Sequence, residues 1–192
     1  TVSLGTFSLG SATPTSGAGG SAGDLSVTAN APEMSYGNKA VSAFGTSSGT
    51  VTSSFIFTVN PKISLSANSG VYNTTITVSG TGFAASSTIT ITWDGADTTT
   101  TTLSNTLGSF STNYTPPNSA GAHTIATHDA ANHTASGLTY VVINPSITIS
   151  ISTGKVGDSI TVDGTAFKPS STITITWDGT NTSTTTTSSS TG

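Results

Sequence analysis

Apolar and polar residues alternate with a period of two along much of the chain. The clearest stripe is Ile89, Ile91 and Trp93, interleaved with Thr88, Thr90 and Thr92. Such alternation sends successive side chains to opposite faces of a strand and predicts a sheet with one buried face. The same pattern runs through Ile63 and Leu65, through Ile76 and Val78, and through Phe110, Thr112 and Tyr114. It is weaker in His123, Ile125 and Thr127, and Tyr140-Val141-Val142-Ile143 closes the series. Turn residues separate the runs: Asn68-Ser69-Gly70, Asp94-Gly95, Pro116-Pro117-Asn118 and Ser119-Ala120-Gly121. About seven strands within residues 61–144 is sandwich spacing, and no segment carries a helical stripe. Both Trp93 and Trp177 fall on inward stripes, so each is expected to be buried, packed with Phe83 and Phe167 respectively.

The stripes recur. The octet TITITWDG spans Thr88–Gly95 and returns letter for letter over Thr172–Gly179. Pro61 and Pro145, Gly80 and Gly164, and Trp93 and Trp177 share one offset, 84 in sequence number. Self-similarity at a fixed period marks a repeat architecture. Backwards the match is fainter: Asn60-Pro61 against Asn144-Pro145, Val41 against Ile125, and Gly23-Asp24-Leu25-Ser26 against Gly108-Ser109-Phe110-Ser111, at 84 or 85. The run Ile76-Thr77-Val78-Ser79-Gly80-Thr81-Gly82-Phe83, a Ser-Ser turn, and the strand ending Trp93-Asp94-Gly95 resemble the immunoglobulin-like IPT/TIG-type modules of archaeal and bacterial surface proteins. The composition is also similar to that of Ser/Thr-rich archaeal thread and pilus subunits. The resemblance implies an all-β chain of immunoglobulin-like β-sandwich modules, and the internal repeat gives them a period of 84, with split (half) domains at both ends. Residues 1–60 are then an N-terminal half-repeat with a Gly/Ser-rich leader, 61–144 a complete domain, and 145–192 a C-terminal half-repeat.

Composition narrows the function classes. Only 6% of residues are charged, against ~25% in an average soluble domain. Lys39, Lys62, Lys155 and Lys168 are the cations, Arg is absent, and eight acids leave a formal charge of −4. Nucleic-acid binding needs a basic stripe to displace counterions, and none exists. A basic membrane-surface helix is excluded on the same ground, and no apolar run reaches the ~20 residues of a membrane span. Without Cys there are no disulfides or thiolate metal sites. Thr1-Val2-Ser3-Leu4 lacks a charged region followed by an apolar one, so a signal peptide is expected to have been removed.

Four Asn-x-Ser/Thr triplets, at Asn73, Asn113, Asn132 and Asn181, are candidate N-glycosylation sites. Three fall at predicted turns or strand ends and Asn113 on an outward face, and sugar would supply the solubility that charge does not. The threonine tracts, Thr98–Thr102 and Thr184–Thr187 with Ser188–Ser190, read first as exposed strands and second as O-glycan acceptors. His123, His128 and His133 are five apart, which suits no helix face, and Asp94 and Asp97 flank an Asp-Gly turn. A Ca²⁺ site wants six or more oxygens, so the two acids read as turn formers, and no metal or cofactor is expected. Paired carboxylates, a nucleophile elbow and a phosphate-binding loop are all missing from the sequence. Lys62 stands on a predicted first strand, where some adhesins form isopeptides, but its counterpart is Ser146.

A non-enzymatic, extracellular or cell-surface filament subunit follows as the leading expectation. It would be a head-to-tail homopolymer in which one chain's C-terminal half completes the next chain's N-terminal half by donor-strand complementation, with N-linked glycans as its other partners. The alternatives are a carbohydrate-binding, adhesin or S-layer module of a longer surface protein, and an auxiliary domain of a secreted enzyme. The adhesin reading needs exposed aromatics, for which Tyr36, Tyr72 and Tyr140 are the candidates.

Overall fold

A computed structural model describes residues 1–4, 7–10, 27–45 and 49–189. The described residues form strands and no helix. The leader over 11–22 and the Gly23–Ser26 match lie outside them, as does Ser190.

The middle of the chain folds as a two-sheet sandwich of immunoglobulin type. Its strands are β5 (Lys62–Leu65), β6 (Ser69–Val71), β7 (Ile76–Thr81), β8 (Thr88–Trp93), β9 (Ala96–Leu103), β10 (Phe110–Tyr114), β11 (Gly121–Asp129) and β12 (Thr134–Ile143). One sheet has the order β10-β7-β5 and the other β6-β12-β11-β8-β9. The predicted stripes meet between them: Ile63, Val78, Phe83, Ile89, Ile91, Ile125 and Val142 are all buried in one cluster, and Tyr140, expected as an exposed aromatic, is buried with them. Burial of each such side chain is worth roughly 1.5–3 kcal/mol, which is what holds the sheets together in the absence of disulfides. Phe83 meets Phe110 edge-on with ring centroids 5.4 Å apart. Gly80 lets that pair close, because a Cβ there would run into both rings. Asp94 and Gly95 adopt φ 50° and 83°, the left-handed pair that a tight hairpin between β8 and β9 requires.

Three expectations need correction. The sandwich has an eighth strand, β6, which pairs in parallel with the outer edge of β12. Trp93 is half-buried and packs against Tyr114 and His123 rather than Phe83. Trp177 is 66% exposed, so the two tryptophans are not equivalent in a single chain.

Before the sandwich, β1 (Val2–Leu4), β2 (Phe7–Gly10), β3 (Gly37–Gly45) and β4 (Gly49–Val59) make a sheet of order β2-β1-β3-β4. Residues at the start of the Gly/Ser-rich leader are thus in strands. Leu4 and Met34 are buried here, while Val51 and Ile56 remain 64% and 59% exposed. After the sandwich come β13 (Ser146–Ile149) with β14 (Val162–Thr165), and β15 (Thr172–Trp177) with β16 (Thr180–Thr187), as two separate antiparallel pairs. The strand positions echo the sequence repeat. β13, β15 and β16 begin at the counterparts of the first residues of β5, β8 and β9, and β3 begins at the counterpart of the first residue of β11.

Candidate assembly interface

An open groove of about 230 Å³ lies between the two C-terminal strand pairs, lined by Ile147, Val162, Phe167, Ile173 and Ile175. Their counterparts one repeat earlier are Ile63, Val78, Phe83, Ile89 and Ile91, which are 5%, 0%, 0%, 0% and 0% exposed in the sandwich core. The groove is therefore half of a core whose other half is not present on this segment. Ile147 and Ile149 are 61% and 53% exposed, Val156 fully so. Leaving such surface in water is unfavourable by about 25 cal/mol per Å² of apolar area.

In the sandwich the matching space is filled from β10, β11 and β12 by Phe110, Tyr114, Ile125, Tyr140 and Val142. β3 and β4 are the counterparts of β11 and β12, with Val41 at the place of Ile125 and Ile56 at that of Tyr140. β4 has one free edge among the described residues, where β12 takes β6. The counterpart of β6 is residues 153–155, which form no strand here.

The N-terminal sheet is tied to one end of the sandwich. Tyr36 donates its backbone N–H to the Phe83 carbonyl at 2.8 Å, and its ring stacks on His133 with centroids 3.6 Å apart. Gly82 and Gly108, at φ 78° and 75°, let the chain pass closely, since a Cβ would meet the Asn60 carbonyl at the first and the Phe83 carbonyl, with Ser35 beyond it, at the second.

Each histidine has an aspartate. His123 Nδ1 lies 2.7 Å from Asp94 Oδ2 and its Nε2 lies 2.9 Å from the Ser119 carbonyl. His128 faces Asp97 Oδ1 at 3.0 Å and the Asp129 carbonyl at 3.1 Å. Both rings thus have acceptors on both nitrogens, which suits the imidazolium. His123 is raised above the usual histidine value chiefly by the Asp94 hydrogen bond, and His128 chiefly by the Asp129 carbonyl. Asp129 is fully buried; burial disfavours its charge, but N–H groups of Ala84, His133 and Ala131 and the His133 ring outweigh that and hold it low. Tyr114 is pushed up to about 12 by burial, with the Asp94 charge adding to it. The His123 and His133 pairs tie a turn or loop to β11 and the His128 pair ties β11 to β9, and no group of three or more metal-ligating residues gathers among the described residues.

All four sequon asparagines are exposed. Asn73 and Asn132 sit in turns at φ 60° and 64°, Asn113 is on β10 and Asn181 on β16. Thr98–Thr102 and Thr184–Thr187 are strand residues of β9 and β16. Of the three tyrosines available to an adhesin, Tyr140 is buried at 1% exposure and Tyr36 is engaged with His133. Lys62 is exposed at the start of β5.

No helix of the described residues is long and apolar enough to cross a membrane. No curated protein matches the chain. Among solved structures, the fibronectin(III)-like modules of Clostridium thermocellum CbhA are similar at 13% identity and a TM-score of 0.32, over 57% of this chain and 64% of that one. Residues 61–142 match the IPT/TIG domain family, a kind of module that is typically structural rather than catalytic.

Proposed function

We propose that the chain is a structural subunit of an extracellular, thread- or pilus-like surface filament, joined head to tail by donor-strand-type complementation. The observation that carries this reading is the C-terminal groove lined by Ile147, Val162, Phe167, Ile173 and Ile175. Its missing half has a counterpart in β3 and β4 of the same sequence. The sandwich itself is the template: β8 and β9 share a sheet with β11 and β12 there, facing β5, β7 and β10, and β13–β16 of one copy would close on β3 and β4 of the next in the same manner. A contact of this kind joins unlike surfaces head to tail, and where its rotation does not close into a ring it makes a fibre. The four exposed sequons are assigned N-glycans, which would keep a surface with so few charges soluble. Negative-stain microscopy of the purified chain is the test. Filaments in the parent chain that are lost in Ile173→Asp, with the sandwich still folded by circular dichroism, are expected; monodisperse particles at all concentrations overturn the proposal.

A further inference from the structure

β11 has two neighbours, β12 on one side and β8 on the other. Its counterpart β3 also has two, β4 and β1. The registers coincide. In the sandwich Trp93 stands opposite Ile125 and Ile91 opposite Thr127. In the N-terminal sheet Leu4 stands opposite Val41 and Val2 opposite Ala43, and Val41 and Ala43 are the counterparts of Ile125 and Thr127 one repeat earlier. The closing pairs agree as well: β8 and β9 close on Trp93 and Ala96, β1 and β2 on Leu4 and Phe7. The β1–β2 hairpin therefore occupies on β3 the place that β8–β9 occupies on β11.

That place is also the one the β15–β16 hairpin, whose β15 copies β8 letter for letter, needs on β3 of a second chain. We infer that β1–β2 is a resident hairpin that plugs the acceptor edge of β3, and that β15–β16 of a second copy displaces it by strand exchange. This rests on the head-to-tail reading above and adds a step to it. The register is fixed by the template: Trp177 opposite Val41, Thr176 opposite Ser42, Ile175 opposite Ala43 and Ile173 opposite Gly45. The incoming hairpin is the longer one, with strands of six and eight residues against three and four. It also brings Ile173, Ile175 and the 66% exposed Trp177 out of water, where the resident brings Val2 and Leu4. A short plug of this type holds the apolar edge of a free subunit shut and yields to a better-matched strand, which is how an exposed edge is kept from promiscuous pairing.

The structure supplies a lock for the test. Ser3 Oγ and Ser42 Oγ are 2.8 Å apart across the β1–β3 pair, side chains close enough for a disulfide, and the chain has no cysteine of its own. The Ser3→Cys/Ser42→Cys variant is prepared oxidised and reduced, and assembly of each is followed by light scattering beside the parent chain. The oxidised form is expected to assemble at least tenfold more slowly and the reduced form like the parent. In parallel, Ser42→Cys/Thr176→Cys is expected to give covalent ladders between chains on oxidation, because those positions correspond to Ala126 and Thr92, which face each other in the sandwich. If the oxidised lock assembles as fast as the reduced form, or the ladder is absent from filaments, the exchange is overturned while head-to-tail assembly stands. If the parent chain does not assemble at all, the head-to-tail reading falls and the exchange with it.

Discussion

At the scale of single residues, the contacts around His123 make a pH-dependent device whose sign is fixed. The Thr124 N–H and then the His123 ring hold Asp94 below its ordinary 3.8, and Asp94 in turn raises His123 above 6.5. The histidine's contribution to folding is complete below 6.5 and is lost as pH rises through its raised value. The aspartate's is complete above 3.8 and is lost as pH falls through its lowered value, so the pair stabilises most between these limits. His123 stacks on Trp93 at 4.4 Å, which supplies a readout, since a charged imidazolium quenches indole emission. In a Trp177→Phe background the Trp93 emission should titrate with a midpoint above 6.5, and Asp94→Asn should bring it down; an unmoved midpoint would show that the pair does not set it. Backbone conformation gives a second prediction. Gly82 has φ 78° and faces the Asn60 carbonyl, whereas its counterpart Ala166 holds φ 59° with a side chain. Gly82→Ala should destabilise the sandwich by about 1–3 kcal/mol, and Ala166→Gly should relieve about 1 kcal/mol in the C-terminal segment, both read from urea unfolding.

At the scale of elements, the same phenylalanine occurs in two settings. Phe83 is fully buried beneath both sheets, and Phe83→Ala should cost about 3–5 kcal/mol. Phe167 lines an open groove, so Phe167→Ala should cost a dilute single chain only about 1 kcal/mol. Equal costs in urea titrations of the two variants would mean that the C-terminal groove is already closed. Most strands were legible because period-two alternation names the inward face directly, as at Ile89 and Ile91. What alternation leaves open is which element covers that face. That is why Trp93 and Trp177 read as equivalent although only Trp93 has Tyr114 and His123 against it. β6 was hidden in an Asn-Ser-Gly run that reads as a turn, its pairing being decided by β12 rather than by its own three residues. β1 and β2 are too short for a periodicity and have no match at the repeat offset; their register on β3 is what exposes their kinship with β8 and β9. Tyr140 sits in four consecutive apolar residues, where face cannot be assigned without the bulge that shifts the β11–β12 register between Ile125 and Thr127.

At the scale of the whole molecule, direction matters more than any one contact. β6 runs parallel to β12, with Val71 opposite Ile143, so the chain comes into the sandwich at one end and leaves it at the other. The N-terminal sheet is held at the first end by Tyr36 on His133 and Phe83, and β13 follows Ile143 at the second. The stretch from Lys62 to Asn68, at ~3.3 Å per residue, covers roughly 20 Å, and Asn144-Pro145 adds no linker that would carry β13–β16 back. A contact between halves of different copies needs no such return path. Glycans proposed for Asn73, Asn113, Asn132 and Asn181 would add mass to the peptides that carry these residues, and unmodified masses for all four peptides from native material would exclude them. The polar arrangement also makes assembly visible from one side chain. In a Trp93→Phe chain only Trp177 fluoresces, and at 66% exposure it should emit as a solvated indole and be quenched by iodide while the subunit is free. Seated opposite Val41 of the next copy, it would take the strand position of Trp93, with Asn30 and Lys39 at the places of Tyr114 and His123, so emission should shift to the blue and iodide access should fall in step with filament mass. Deleting residues 145–192 should abolish filaments while the sandwich of 61–144, whose core draws nothing from them, stays folded; filaments that persist after that deletion would place the joint elsewhere.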